Sequence, residues 1–411
     1  MAAGESSRFW PLNQKHKTLI KVRGKPLIAY LVKDIRKAGI KDIIIVQSPK
    51  RDIERELKDK SLKYAVQKKP TGTGDALLAA EKLIKEEQFF LFNAHDSDAK
   101  NYIESLSSKA KKGKSKLIIL ASKTKTPWLY GILKMKGDRV LEIIEKPKPG
   151  KEPSDLKSDN LFLFPKDFLL YLKKVPSHPF SLIYGLNLYA KEKPVEVVIN
   201  RKKSLSLKFP WSIFPILEAK LKDLKVFKHK PVIIGKNVVI SGKVFIGKNT
   251  KIGAGTVIEG PCYIGENCEL GSLNVLRGPL DLENGVKTGA FMEIKHSIIQ
   301  ESTHFHSGYV GDSIIGPNCR FGAGFITANR RFDRKNIFST VRDKEIDTGL
   351  ACFGTVISRN TAVGINVGIM PGVFVGSNCL IGPGSVIFEN VPDNSKVITK
   401  FQTQILTSPK T

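Results

Sequence analysis

Long apolar runs are missing from this chain. No stretch approaches the roughly 20 consecutive apolar residues that a membrane-spanning helix needs, so no membrane span is expected. The opening Met1-Ala2-Ala3-Gly4 has no charged segment leading into an apolar stretch and cleavage site, so no secretory leader is expected either. Cysteine is scarce, five in 411 residues, odd in number and without framework spacing. That argues against structural disulfides and fits a cytoplasmic setting. Without a Cys-x-x-Cys pair or a matched histidine cluster, a structural metal site is not expected. Acidic residues are in deficit too: 39 Asp and Glu stand against 67 Lys and Arg, a net charge of +28. Residues 231–411 carry 18 basic and 14 acidic residues, which leaves 49 against 25 for residues 1–230. A basic first half attracts phosphates. Its lysines are scattered and not clustered with aromatics, which points away from nucleic acid.

What the chain does have is length enough for two cores and a repeat in its second half. From Ile234 an aliphatic residue recurs at every sixth position, through Ile240, Ile246, Ile252, Ile258, Ile264, Leu270 and Leu276, and again from Ile357 to Ile387. A helix repeats near 3.6 and an ordinary strand at 2. Period six is the signature of a parallel β-helix whose coil closes from three short strands and three turns. Gly follows many of these aliphatics, as at Gly235, Gly247, Gly253 and Gly265, where a tight corner favours a residue without Cβ. Four positions after the aliphatic stands a small residue, and Cys262, Cys268, Cys319 and Cys379 share that slot, so these cysteines read as buried filling.

Residues 18–230 alternate strand-like runs (Asp42–Gln47, Phe89–Asn93, Lys116–Ala121, Val195–Ile199) with amphipathic stretches (Leu27–Ala38, Gly74–Lys85, Tyr102–Lys112). That order predicts an α/β domain with a mainly parallel sheet. The domains are expected over 1–228 and 229–411.

Specific residues sharpen this. The first half opens with a small-residue loop containing Gly4 and Arg8, then Pro11-Leu12, Lys17 and Gly24-Lys25-Pro26. Gln67, Gly72-Thr73-Gly74, Asn93-Ala94-His95-Asp96, Tyr130-Gly131 and Glu145-Lys146-Pro147 follow in order. In the second half come Arg277, Lys295, His306, Tyr309-Val310-Gly311-Asp312, Gly322-Ala323-Gly324, Asn329 and Lys335. Over nearly its whole length the chain resembles the bifunctional sugar-1-phosphate nucleotidylyltransferase/acetyltransferases of archaeal type, a Rossmann-like nucleotidyltransferase joined to a left-handed parallel β-helix of hexapeptide repeats.

The resemblance implies residue roles. Gly4, Arg8, Lys17, Gln67, Gly72 and Thr73 would bind the nucleoside triphosphate, with Arg8 and Lys17 neutralising it. Asp96 would hold Mg²⁺, and Gly131, Glu145 and Lys146 would bind the sugar 1-phosphate. In the second site Arg277, Lys295, Tyr309, Asn329 and Lys335 would bind sugar phosphate, and Ala323 and Gly324 would pack on acetyl-CoA. His306 would be the general base, since a free histidine titrates near neutrality; His304 is the neighbour that competes for the assignment. The resemblance also implies a homotrimer; the basic segment 330–350, which breaks the six-residue rhythm, reads either as a solvated hairpin or as an arm reaching a neighbouring subunit's phosphate site.

The first half departs from the pattern. The strand expected before the first loop is absent. Ser6 stands where Gly is preferred, Ser158 where a sugar-contacting Asn belongs, and Ser206 where a second metal-binding Asp belongs; no Asp occurs between Asp167 and Asp223. Arg320 replaces an Asn in the second half. The leading expectation is a bifunctional enzyme of nucleotide-sugar (UDP-GlcNAc-type) synthesis. Alternatives are an acyltransferase with an inert first domain and a non-catalytic regulatory subunit.

Overall fold

A computed structural model describes residues 1–402, except 97, 114, 202–204 and 206. Ser206 therefore lies outside the described residues. The chain divides into two compact units, one of Met1–Ser7, Lys15–Ile20 and Lys25–Leu207, the other of Arg8–Gln14, Lys21–Gly24 and Lys208–Thr411. Helix Phe214–Lys222 thus goes with the second unit, although a boundary at 228 assigns it to the first.

In the first unit, helix α1 (Leu27–Lys37) buries Leu27, Ile28, Leu31, Val32 and Ile35, one stripe at helical spacing. Further helices are α2 (Thr73–Ala79), α3 (Ala99–Lys112) and α4 (Ser181–Glu192). The strands are β1 (Ile44–Gln47), β2 (Lys63–Val66), β3 (Gln88–Leu91), β4 (Leu117–Lys123), β5 (Gly131–Lys136), β6 (Arg139–Glu145), β7 (Leu156–Pro165) and β8 (Val195–Ile199). β1 pairs with β2 and β4 with β8, both parallel. The main sheet runs β3-β7-β4-β8-β6-β5. β7 lies antiparallel between β3 and β4, and the β5–β6 hairpin extends the edge. Of the neighbour pairings in this sheet only β4–β8 is parallel, so it carries more antiparallel pairing than the sequence pattern revealed. The first six residues of β4 are buried, as expected of a strand covered on both faces.

The chain start is wedged between β1 and the segment after β3. Ala2 N donates to Val46 O at 2.7 Å, Met1 N to Phe92 O at 2.8 Å and Ala94 N to Met1 O at 3.1 Å. Beyond Met1 opens a cavity of about 700 Å³ whose lining includes Val32, Ile45, Leu77, Phe89 and Phe92. Burial pushes the Met1 ammonium down to about 6, against the attraction of Asp96. Five apolar residues added ahead of Met1 remove this buried charge and fill the slot as a strand. That variant should unfold on the order of 5 °C higher in a thermal melt; an unchanged midpoint would show that the slot admits no strand.

The second unit contains a parallel β-helix of three sheets, and register pairs successive coils: Ile234 with Ile252, Ile252 with Leu270, Leu270 with Thr288. Aliphatic ladders fill the prism, and Cys262, Cys268, Cys319 and Cys379 are fully buried among them as free thiols. Burial pushes the Cys262 and Cys319 thiols up to about 12. The six-residue rhythm fails after Ile294 because the coils shorten: Thr288 pairs with Phe305, 17 residues on, and Phe305 with Phe321, 16 on. Then the hairpin Phe338–Val341/Lys344–Asp347 is inserted before Phe321 finds Val363.

The glycines are needed for their missing Cβ, as expected, and the reason lies between coils. A Cβ at Gly253 would lie 2.4 Å from the Gly271 carbonyl carbon, and one at Gly247 would lie 2.5 Å from that of Gly265. Glycine is needed there because successive coils touch backbone to backbone. Several left-handed corners fall to asparagine: Asn237, Asn249, Asn267, Asn360 and Asn378 have φ of 57–58°. Their amides ladder from coil to coil, Asn249 to Asn267 at 3.1 Å and Asn360 to Asn378 at 3.0 Å.

Candidate active sites

In the first unit the loop after the buried chain start carries Gly4, with open space around its Cα, and Ser6 at φ 55°. Ser6 adopts the left-handed conformation that the expected Gly would take without strain, and its Oγ accepts the Lys17 N–H at 3.2 Å. Lys17 Nζ donates to Leu207 O at 2.5 Å. Gln67, buried at the end of β2, donates to Gly72 O at 2.9 Å and so braces the turn into α2. Gly72 has φ 142°, and a Cβ there would meet His178 O at 2.6 Å. Thr73 then opens α2. Arg8 is exposed in a short 3₁₀ turn that clusters with the second unit.

Asp96 follows β3, and its Oδ2 accepts the Asn93 N–H at 2.8 Å. Burial pushes this carboxyl up to about 7, with Asp159 adding to the rise and Asn93, the Met1 ammonium and Lys17 opposing it. Asp159 is the carboxylate that sequence reasoning passed over. It stands on β7 with its side chain 4% exposed, bonded to Ser122 Oγ at 2.7 Å and Lys157 Nζ at 2.8 Å. His95 and His16 are pushed down to about 3 and 4, by burial first and by Lys17 next, so both are neutral in the working range.

At the hairpin, Gly131 faces Glu145, and a Cβ at 131 would lie 2.7 Å from Glu145 Oε1. Burial raises the Glu145 carboxyl and Lys146 opposes the rise. Lys146 N donates to Tyr130 O at 2.9 Å, and its Nζ lies 5.6 Å from the Phe180 ring centre.

In the second unit Arg277, Lys295, Tyr309 and Asn329 come together on one face of the β-helix. Arg277 pairs in register with Lys295, Glu293 with Tyr309. Arg277 forms an ion pair with Glu293. Asn329 Nδ2 donates to Tyr309 Oη at 3.1 Å and to Asp312 Oδ2 at 2.5 Å. Lys295 Nζ lies 3.7 Å from Asp312 Oδ2, and His296 Nδ1 is 2.6 Å from Asp312 Oδ1. Gly311 leaves the space these groups occupy, since a Cβ there would fall 2.4 Å from Tyr309 Oη. Burial first, then Asp312 and Glu293, raises the Tyr309 phenol, which keeps it a donor. Asp312 was legible only as part of a motif; His296, Glu293 and the hub they form were missed.

His306 ends the strand His304–Phe305 on the adjoining face. It lines a groove of about 490 Å³ with His304, Arg320, Phe321, Gly322 and Ala362. Burial and the nearby Arg320, Lys287 and His306 lower the His304 imidazole. Ala323 and Gly324 form the next corner, where Gly324 has φ 71°. Lys335 is exposed in the inserted segment, where its N–H bonds Asp333 at 3.1 Å. Among the described residues, no side-chain hydrogen bond or ion pair joins His306 or Lys335 to the Asp312 cluster.

Residues 1–204 match the nucleotidyl transferase family, and residues 243–278 and 354–389 match the bacterial transferase hexapeptide family of six repeats. The chain is 34% identical over 402 residues to a bifunctional sugar-1-phosphate nucleotidylyltransferase/acetyltransferase of Sulfurisphaera tokodaii, covering 95% of this chain and 97% of that one. It belongs to that family. The bifunctional protein GlmU of Methanococcus maripaludis is 34% identical over 97% of this chain and 96% of its own. The one from Methanocaldococcus jannaschii is 31% identical with the same coverage. This nucleotidylyltransferase/acetyltransferase is therefore a transferase of two domains, an α/β nucleotidyltransferase and a left-handed β-helix. Among the described residues no helix is long and apolar enough to cross a membrane, and no group of three or more His, Cys, Asp or Glu is placed to hold a metal.

The buried Asp96 carboxyl gives a pH signature. Its folded value lies above its unfolded one, so its contribution is present below about pH 4 and lost as pH rises through about 7. Asp96→Asn should therefore unfold at a higher denaturant concentration than the parent at pH 8, with the gap closing at pH 4. A gap independent of pH would contradict the placement of this carboxyl.

Proposed function

We propose that the chain makes a nucleotide sugar at two sites, first acetylating an amino-sugar 1-phosphate and then joining it to a nucleoside monophosphate. The observation that carries the first step is the cluster on Asp312. In the acceptor's reaction the amine nitrogen attacks the thioester carbonyl of acetyl-CoA, and the C–S bond breaks. His306 takes the amine proton and returns it to the departing thiolate. Arg277, Lys295 and Lys335 hold the phosphate, Tyr309 donates to it, and Asn329 orients the sugar. Ala323 and Gly324, at the corner after Gly322, would pack on the acyl carrier.

In the second step an oxygen of the sugar phosphate attacks the α-phosphorus of the triphosphate, and the bond to pyrophosphate breaks. Lys17, with Arg8 as the family pattern has it, offsets the phosphate charge. Gly4, Gly72 and Thr73 supply close backbone, Gln67 reads the base, and Gly131, Glu145 and Lys146 hold the sugar. Asp96 with Asp159 as second carboxylate suits Mg²⁺, which binds through one or two carboxylates and completes its shell with water and substrate oxygens. Bound there, Mg²⁺ would neutralise charge on the reacting phosphates. Asp159 would answer the loss of the Asp expected at Ser206. This reading is favoured over an inert first domain because Gln67, Gly72, Asp96 and Glu145 keep their bracing contacts.

His306 and Lys335 lie outside the Asp312 cluster, which supports completion of each acetyl site by a neighbouring copy. Large apolar side chains on the later coils favour the same assembly: Leu380 is 51% exposed and Phe388 70%. Our reading is a homotrimer working in the cytoplasm. The tests are kinetic. His306→Ala should cut CoA release at least about 100-fold and leave pyrophosphate release intact, and Asp96→Asn should do the reverse. Loss of both activities in either variant would contradict separate sites. Phe388→Asp should convert a species of three chains in light scattering to monomer and abolish CoA release alone; a monomeric parent with full acetylation would refute the trimer.

A further inference from the structure

His296 has no part in the reading above, yet it is built into the second site. It sits at φ 42°, a left-handed conformation uncommon for a histidine. Nδ1 is 2.6 Å from Asp312 Oδ1, Nε2 is 3.4 Å from Glu218 Oε1, and the ring lies 4.9 Å from that of Phe214. Glu218 and Phe214 come from helix α5 (Phe214–Lys222), so the histidine ties that helix to the β-helix wall within one unit. The charged groups facing it are Asp312 and Glu218, with Lys295 next along the strand at 3.7 Å from the same Asp312.

We propose that His296 is a positioning residue for acetyl transfer, fixing the polarity of the acceptor site through Asp312. A carboxylate only accepts, so His296 Nδ1–H donates to Oδ1 and the Asn329 amide donates to Oδ2. The second Asn329 N–H is spent on Tyr309 Oη. With both N–H groups used, only the carbonyl oxygen of Asn329 is left to face a ligand, and it can bind only a group that carries hydrogen. Tyr309, accepting from Asn329, turns its own proton to another acceptor. The site therefore presents one acceptor, for the N–H of an amino sugar, beside one donor, for a phosphate oxygen. Without the His296 clamp, the Asp312 carboxylate can rotate, the amide can flip, and the polarity is lost.

Position 296 allows an isosteric test. Asparagine and aspartate both tolerate φ near 42° and match each other in size, but Asn donates to Asp312 where Asp repels it. This rests on the site assignment above. With glucosamine 1-phosphate and acetyl-CoA, His296→Asn should stay within about threefold of the parent. His296→Asp should raise KM for the sugar phosphate about tenfold or more, the scale of one lost charge-assisted hydrogen bond. KM for acetyl-CoA and the rate of pyrophosphate release should not move. Equal kinetics in the two variants, or equal losses in both, would overturn the positioning role. If Tyr309→Phe and Asn329→Ala leave KM for the sugar phosphate untouched in an active enzyme, the site assignment itself is wrong and this inference falls with it.

Discussion

The second half of the chain depends on one constraint: successive coils of the β-helix must touch backbone to backbone at their corners. Gly247 meets Gly265 and Gly253 meets Gly271 with no room for a Cβ on either side. Contact this close keeps neighbouring strands in register, and register is what carries Arg277 to Lys295 and Glu293 to Tyr309. A one-residue slip would turn every outward side chain into the prism. The polar cluster on Asp312 is possible because the wall beneath it is rigid.

The rhythm relaxes where chemistry is expected. Coils of 17 and 16 residues replace the regular 18 between Thr288 and Phe321, and the inserted hairpin follows directly. The shortened turns bring His306, Tyr309 and Asp312 onto consecutive corners and strands. Repeat proteins tolerate such insertions because each coil contacts only its neighbours. The regular coils on either side supply the packing, and the irregular ones carry His306, Tyr309 and Asp312.

Much of this was legible in the chain. Period six is alien to helix and ordinary strand, so Ile234 to Leu276 announced the β-helix, and the cysteines in the small-residue slot announced their burial. Strand β7 was not legible because its pairing with β4 shifts register at Leu120/Ala121 and its alternation is broken. The corner role of asparagine was hidden by the more conspicuous glycines. Asp159 and His296 were missed for one reason: their meaning lies in partners far along the chain, Ser122 for one and Glu218 for the other. Tertiary pairs of that kind leave no periodic trace.

We take one kind of chain to supply both transferase activities. The direct test is mass spectrometry of the products formed by the purified parent with glucosamine 1-phosphate, acetyl-CoA, UTP and Mg²⁺ together. The account predicts an N-acetylated nucleotide sugar, with CoA and pyrophosphate released in equal amounts. An acetylated sugar phosphate that is never joined to a nucleotide would contradict it, and would leave the first domain a fold without turnover.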